Sequence, residues 1–531
     1  MTDYIIIGGG SAGCVLAARL SEDPAIEVTL LEAGPTDRSV LIHCPAGLAL
    51  MAQTGQANWG FDTVPQKGLN GRTGYQPRGK VLGGSSSINA MVYARGHRSD
   101  YDHWATLDNP GWSWDEVLPY FKRAEHNERG ADAFHGVGGP LNVMDPVSPS
   151  RFGPAFVEAG RQAGFPVNRD FNGGEQEGIG LYQVTHRNGE RVSAAKAYLT
   201  PNLSRPNLQV ITGAHAMRVL MEGRRAVGVE YRLGGTLHRL QAQREVVLCA
   251  GAIQSPQILM LSGIGPAAQL ILHGIPVVHD LAGVGASFHD HIDTVQVYDA
   301  PHLKDLFGLS LTGAWHALKG VFEWRNHRRG MLTTNFAEAG GFIKSQKEEP
   351  IPDLQLHFVI GKLVDHGRKT TFGHGFSCHV CLLRPQSRGS VTLASADPLA
   401  APRIDPNFFA EPDDMARMIR GFRLMRHILA QPALAQYGAR ELQRSAGAQS
   451  DGEIDAFIRS QADSIYHPVG TCRMGNTSID VVDAELRVRG IDRLRVVDAS
   501  IMPCVVGGNT NAPVIMIAEK AADMIKAARI D

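Results

Sequence analysis

The segment that most restricts what this chain can fold into lies at its start. Tyr4 to Ile7 is a short apolar run that reads as a buried strand, and it passes directly into Gly8-Gly-Gly10-Ser11-Ala12-Gly13 and a helical stretch, CVLAARLSED. Gly8 permits a tight turn, Gly10 lets a pyrophosphate approach the backbone, and Gly13 lets helix and strand pack closely. A second strand-like run, Glu27 to Leu31, ends on Glu32-Ala33-Gly34, with the acid nineteen residues after Gly13. A carboxylate at that distance accepts the ribose hydroxyls of an adenine dinucleotide. Strand, glycines, helix, strand and acid in register predict a Rossmann-like unit holding the ADP half of such a cofactor, with Ser11, Ala12 and Ala33 beside it. FAD and NAD both carry that half, so these residues alone fit either.

The remainder of the chain narrows the class. It has 531 residues, a formal net charge of -1, 20% charged residues and no long acidic or basic run, which gives no basis for nucleic-acid binding or a polybasic membrane anchor. Seven scattered cysteines fit reduced thiols in a cytoplasmic-type compartment. Cys378-His-Val-Cys381 sits in the alternating run GFSCHVCLL and reads as a strand, not as a redox or metal site. The opening residues show no signal-peptide pattern, and no segment reaches the roughly 18 uninterrupted apolar residues of a spanning helix. The expectation is a cytoplasmic protein, at most peripheral on the inner face of a membrane. Leu303 to Trp324 has apolar and aromatic residues near helical spacing; it reads first as a helix over the body or a substrate channel, second as a membrane-facing patch.

A second glycine cluster, Arg78-Gly-Lys-Val-Leu-Gly83-Gly84-Ser85-Ser-Ser-Ile88-Asn89-Ala90-Met91, breaks both helix and strand periodicity. Its use is a backbone-rich surface that approaches a flat ligand closely. With this run, with Gly251-Ala-Ile-Gln-Ser-Pro256 through Gly263-Ile-Gly265, and with Gly508-Asn-Thr-Asn-Ala-Pro513, the chain resembles the glucose-methanol-choline (GMC) oxidoreductases, flavoproteins that oxidise alcohols. The resemblance spans nearly the whole chain. Within the family it is most similar to acceptor-linked members that take aliphatic primary alcohols, as in the run Val364 to Lys369, and to those that oxidise choline.

The resemblance implies an α/β fold in which a Rossmann-like FAD-binding domain (residues 1–150, 188–298 and 462–531) is interleaved with a substrate-binding domain of antiparallel sheet plus helices (151–187 and 299–461). It implies FAD rather than NAD. The FAD is expected to be noncovalent, because the position where some members carry a tethering His is Ile88. Cofactor contacts are carried onto Gly83, Gly84, Ser85, Asn89, Ala90 and Met91, onto Ala216 at the adenine edge, and onto Asp498 and Ala499 at the ribityl chain. Pro513 opens a helix whose amino end faces the flavin, where it favours negative charge.

His467, in Ser464-Ile-Tyr466-His-Pro-Val-Gly-Thr-Cys472, would on its own read as packing, and the pair His-x4-Cys is a poor metal site, so no metal is expected. The resemblance makes His467 the base and Asn511 its partner at the substrate oxygen. An imidazole is suited to take a hydroxyl proton near neutral pH. Trp59, Glu338 and Tyr466 match positions around choline in choline-oxidising members. His289 departs from the family form beside Asp290 and His291, and the trio reads as orienting a loop. The implied reaction is oxidation of a primary alcohol to an aldehyde, with hydride passing to the flavin and electrons to a quinone-type acceptor. Choline, or an aryl or furfuryl alcohol with oxygen as acceptor, stays open; a hydroxynitrile lyase is the remote alternative. Oligomeric state is unread.

Overall fold

The computed structural model describes residues 2–364, 368–369 and 372–528; residues 365–367 of the Val364–Lys369 run lie outside the described residues. The chain opens with strand β1 (Thr2–Ile7), helix α1 (Ser11–Leu20) and strand β2 (Val28–Glu32). Ile5, Ile6 and Leu30 are fully buried. Such unbroken apolar strands are what a parallel sheet covered on both faces requires. A Cβ on Gly13 would lie 1.9 Å from the carbonyl oxygen of Gly8, so α1 can pack this close to β1 only with glycine there.

After a long excursion that contains β3 (Gly178–Leu181), the chain returns as β4 (Leu208–Thr212), β5 (His215–Glu222), β6 (Arg225–Leu233) and β7 (Thr236–Leu248), followed by α2 (Gly251–Leu261). It then runs through β8 (Ile292–Asp299), α3 (Leu311–His327), β9 (Ala339–Ile343), β10 (Leu354–Val359), β11 (Gly373–Leu382) and α4 (Pro412–Leu429). It closes with β12 (Leu494–Val496) and α5 (Asn511–Ala527).

Two sheets organise these elements. The first has the order β4-β2-β1-β7-β6-β5, with β12 also pairing β7; β4, β2, β1, β7 and β12 are parallel, whereas β5, β6 and β7 form an antiparallel meander. The second is antiparallel, in the order Arg440–Glu441, β8, β11, β10, β9, β3. Two interleaved units therefore follow from the pairing. β8, which ends at the boundary expected at 298, pairs in the second sheet, as does Asp463–Ser464. Cys378 and Cys381 are buried free thiols within β11, and no His, Cys, Asp or Glu group able to hold a metal occurs among the described residues.

Helix α5 ties the end of the chain to its beginning. The fully buried carboxylate of Glu519 accepts hydrogen bonds from the guanidinium groups of Arg19, on α1, and Arg123, and from the hydroxyl of Tyr198. Glu519→Ala is expected to lower stability by about 3 kcal/mol in urea unfolding, as loss of one member of a buried ion pair does. A change within the ~0.5 kcal/mol of ordinary surface substitutions would contradict this role.

Candidate active site

A cavity of about 1230 Å³ lies between the two units. It begins at Gly8, Gly10 and Glu32, passes Gly84, Ser85 and Asn89, and reaches His467 and Asn509. Ordinary small-molecule pockets run to about 1,000 Å³, so this one has room for a dinucleotide and a second ligand. The two glycine loops meet backbone to backbone: Gly84 has φ +53°, and a Cβ there would lie 2.7 Å from the Cα of Gly10. Glu32 accepts the amide N–H groups of Gly9 and Gly34, at 2.9 and 2.7 Å, and burial pushes its carboxyl up to about 7. Bare backbone, an acid at the strand end and the amino end of α1 together fit an adenine dinucleotide.

At the other end, the backbone aims His467. Tyr466 has φ +74°, a costly conformation for a residue with a side chain, and its neighbours hold it there. Its N–H donates to Ser464 Oγ at 2.7 Å, and its carbonyl accepts from Arg78 Nη2 at 2.8 Å. The next amide, that of His467, donates to Asp290 Oδ1 at 2.7 Å. Asp290 also accepts from Gln76 Nε2 at 3.0 Å and from the hydroxyl of Ser464. Burial pushes its carboxyl up to about 6, against the opposing pull of Ser464, Gln76 and Arg78.

Hydrogen bonding then fixes the tautomer. His291 Nε2 lies 3.0 Å from the carbonyl oxygen of Leu383, to which only an N–H can donate. A neutral His291 therefore has its lone pair on Nδ1, which lies 3.0 Å from His467 Nδ1. His467 must carry its proton on Nδ1, leaving Nε2 as an acceptor. That nitrogen accepts from Asn509 Nδ2 at 3.2 Å, and Asn509 is oriented in turn by Gln355 Nε2, which donates to its Oδ1 at 3.0 Å. Burial, reinforced by His291, His357 and Arg78, holds His467 well below the usual histidine range, and burial brings His291 down to about 3. Both rings are neutral near pH 7, with the Nε2 lone pair of His467 at the cavity wall held by the Asn509 amide.

The residue bonded to His467 Nε2 is Asn509, whereas Asn511, expected at the substrate oxygen, also lines the cavity. Asn511 Oδ1 accepts from Ser11 Oγ at 2.7 Å, latching the first residues of α5 and α1 together. As the first residue of α5, Asn511 turns toward α1, while Asn509, still before the helix, faces His467. His291 was expected only to orient a loop and instead touches the base. His289 does keep a structural role: its Nδ1 donates to the carbonyl of Ser287, its Nε2 accepts the Val505 amide, and burial brings it down to about 3.

The other expected residues divide between cavity wall and support. Ser11, Ala12, Ala33, Ala90, Met91, Ala216 and Ala499 line the cavity. Asp498 lines it too, while accepting from the Gly251 amide, the Ser255 hydroxyl and the Ser500 amide. Gly13, Gly83 and Pro513 lie behind the wall as packing positions. Tyr466 lines the cavity beside His467, but Trp59, also in the wall, has Phe61, His215 and Lys80 around its ring. Trp59 thus packs beside the strand of Ala216 while lining the same cavity as Tyr466. Glu338 is buried just behind the wall; its carboxyl faces Ser148 and Thr334 and is raised by burial, and its Oε1 has no hydrogen-bond partner among the described residues. Sequence reasoning missed Gln355 and His357 entirely. His357 lines the cavity and is brought down to about 3 by burial, and both come from β10, whose alternation alone marked it only as a strand.

The chain is similar to known proteins over nearly its whole length. Residues 2–293 and 385–518 match the two sequence models of the GMC oxidoreductase family. The chain is 49% identical to "Alcohol dehydrogenase (acceptor)" of Pseudomonas putida, over 99% of this chain and 96% of that protein. It is 48% identical to "Choline dehydrogenase, mitochondrial" of Homo sapiens, over 98% of this chain and 89% of that protein. An FAD-dependent oxidoreductase from Chaetomium thermophilum superimposes with a TM-score of 0.90 at 29% identity, covering 99% of each chain.

Proposed function

The chain belongs to the GMC oxidoreductase family, FAD-dependent enzymes acting on CH–OH donors, and from that premise we propose that it oxidises a neutral primary alcohol to the aldehyde, with His467 as base. The observation that carries this reading is the lone pair of His467 Nε2, held toward the cavity beside the amide of Asn509. Bound FAD supplies the two-electron acceptor for the α-hydrogen, which leaves the alcohol as hydride. The alcohol hydroxyl replaces the Asn509 amide at His467 Nε2, which takes the hydroxyl proton, and Asn509 Nδ2, an obligate donor released by that exchange, hydrogen-bonds the alcohol oxygen as negative charge builds on it. The Nδ1–H of His467 stays on His291, which keeps the ring fixed while Nε2 becomes protonated. The amino end of α5, where Asn509, Thr510 and Asn511 line the cavity, favours negative charge on the bound cofactor. Ile88 in the wall offers no nucleophile for a covalent tether, which supports a dissociable FAD.

Choice of alcohol follows from charge. Among the described residues, the acids lining the cavity are Glu32, Asp305, Glu323 and Asp498, none of them adjoining His467. A nearby carboxylate, Asp293, is engaged by His379 Nδ1 at 2.5 Å. A quaternary ammonium is recognised by a carboxylate or an aromatic cage; with Glu338 outside the wall and raised toward its neutral form by burial, a neutral alcohol suits the wall better. The likeness to an acceptor-named alcohol dehydrogenase favours a quinone-type acceptor over oxygen. The test is a panel of hexanol, benzyl alcohol, hydroxymethylfurfural and choline with a quinone analogue and then with oxygen. Hexanol with the quinone analogue should give the highest kcat/KM; turnover of choline alone would overturn the substrate reading.

A further inference from the structure

Helix α3 has two unlike faces. Gly313, Gly320 and Trp324 look inward and wall the cavity. Leu311, Trp315, Leu318 and Phe322 recur at steps of four, three and four residues, which puts them on one stripe, and none of them lines the cavity. Their exposures are 94%, 65%, 64% and 69%, and Phe372, bridged to Leu309 at the start of the helix, is 82% exposed. Large apolar side chains exposed together in this way mark an interaction surface.

We propose that this stripe seats the enzyme on an anionic lipid bilayer, with α3 lying in the headgroup region. At 17 residues the helix is too short to cross, and no helix among the described residues is long and apolar enough to do so. The surrounding charge selects the occupant. Lys304, Lys319, Arg325, Arg328 and Arg329 stand against Asp305 and Glu323 in this segment, a local excess of basic residues in a chain whose net charge is -1. Arg328 pairs with Glu190, Asp305 with Arg151 and Lys319 with Glu323, leaving Arg325 and Arg329 to flank the stripe. A tryptophan and other apolar groups on one face, rimmed by basic side chains, is the composition of an interfacial helix. A second copy of the chain would bring like charges together, whereas an anionic surface complements them. The seating holds whichever alcohol is the substrate, and it places the cavity directly beneath the membrane contact.

The holoenzyme should be floated with vesicles of phosphatidylcholine alone and of phosphatidylcholine mixed with phosphatidylglycerol. Binding is expected to favour the anionic vesicles and to weaken with salt. Arg325→Gln and Arg329→Gln should each weaken it about fivefold at low ionic strength. Trp315→Glu combined with Leu318→Glu should lower partitioning at least ~10-fold, with oxidation of a short, water-soluble alcohol unchanged. Trp315→Phe keeps the stripe, so it should bind like the parent protein but lose quenching of tryptophan emission by brominated lipid. Absence of vesicle binding, binding untouched by the double substitution, or quenching retained in Trp315→Phe would overturn the proposal. So would a lipid-free dimer that Trp315→Glu dissociates, which would assign the stripe to a second copy.

Discussion

Replacing His467 by alanine is expected to slow reduction of the bound flavin by alcohol ~10²–10⁴-fold, the range for loss of a general base, with FAD still bound. The flavin should stay because the contacts of His467 run to His291 and Asn509, away from the glycine loops and Glu32 that form the dinucleotide end. Stopped-flow absorbance of the anaerobic enzyme measures the rate, and the visible spectrum of the purified variant measures the flavin. The pH dependence follows from the same ring. A base must be neutral to act, and burial holds His467 well below the usual histidine range. Its free form therefore persists as pH falls through the ordinary value of about 6.5, and the parent rate should be flat from about pH 8 to pH 6, falling only in more acidic solution. A rate that titrated near 6.5 would place His467 in a wetter setting than the one described. Loss of flavin with unchanged chemistry in the remaining holoenzyme would make the residue structural.

The second large effect separates two asparagines that stand two positions apart. Asn509→Leu removes the donor beside His467 Nε2 and is expected to lower the reduction rate ~10²–10³-fold, the cost of losing one donor to a developing oxyanion. It also leaves Gln355 Nε2 with only the Tyr182 hydroxyl, 3.3 Å away. Asn511→Leu should instead act through its latch with Ser11, appearing as weaker FAD retention and lower thermal stability, with a smaller rate loss in molecules that keep the flavin. Rates normalised to bound FAD distinguish the two. If Asn511→Leu gave the larger normalised loss, the pairing drawn from the structure would be wrong.

These two residues also show what the sequence could and could not convey. The dinucleotide end is legible because its parts are contiguous, and the structure sets β1, the glycines, α1, β2 and Glu32 in the order read from the chain. The proton-handling end is assembled from segments that meet only in three dimensions: His291 just before β8, Gln355 and His357 from β10, His467 from the last third, and Asn509 from the approach to α5. Asn509-Thr-Asn511 offers two identical side chains, and only the start of α5 determines which faces the base. The direction of the Glu338 side chain was illegible for a similar reason. The residue immediately precedes β9, where the pleat decides its direction, and its carboxyl is turned toward Ser148 and Thr334. The apolar spacing from Leu303 to Trp324 marked a helix that in the structure spans only Leu311–His327, and the residues that turn inward could be separated from those left in water only once the cavity was visible.

The central claim is that an alcohol reduces the bound flavin directly. Its most direct test is anaerobic titration of the purified yellow protein with a primary alcohol, without nicotinamide, following flavin absorbance and aldehyde together. The account predicts bleaching of the flavin with one aldehyde formed for each flavin reduced. A flavin that keeps its colour with every alcohol, or aldehyde that appears only when NAD is added, would contradict it.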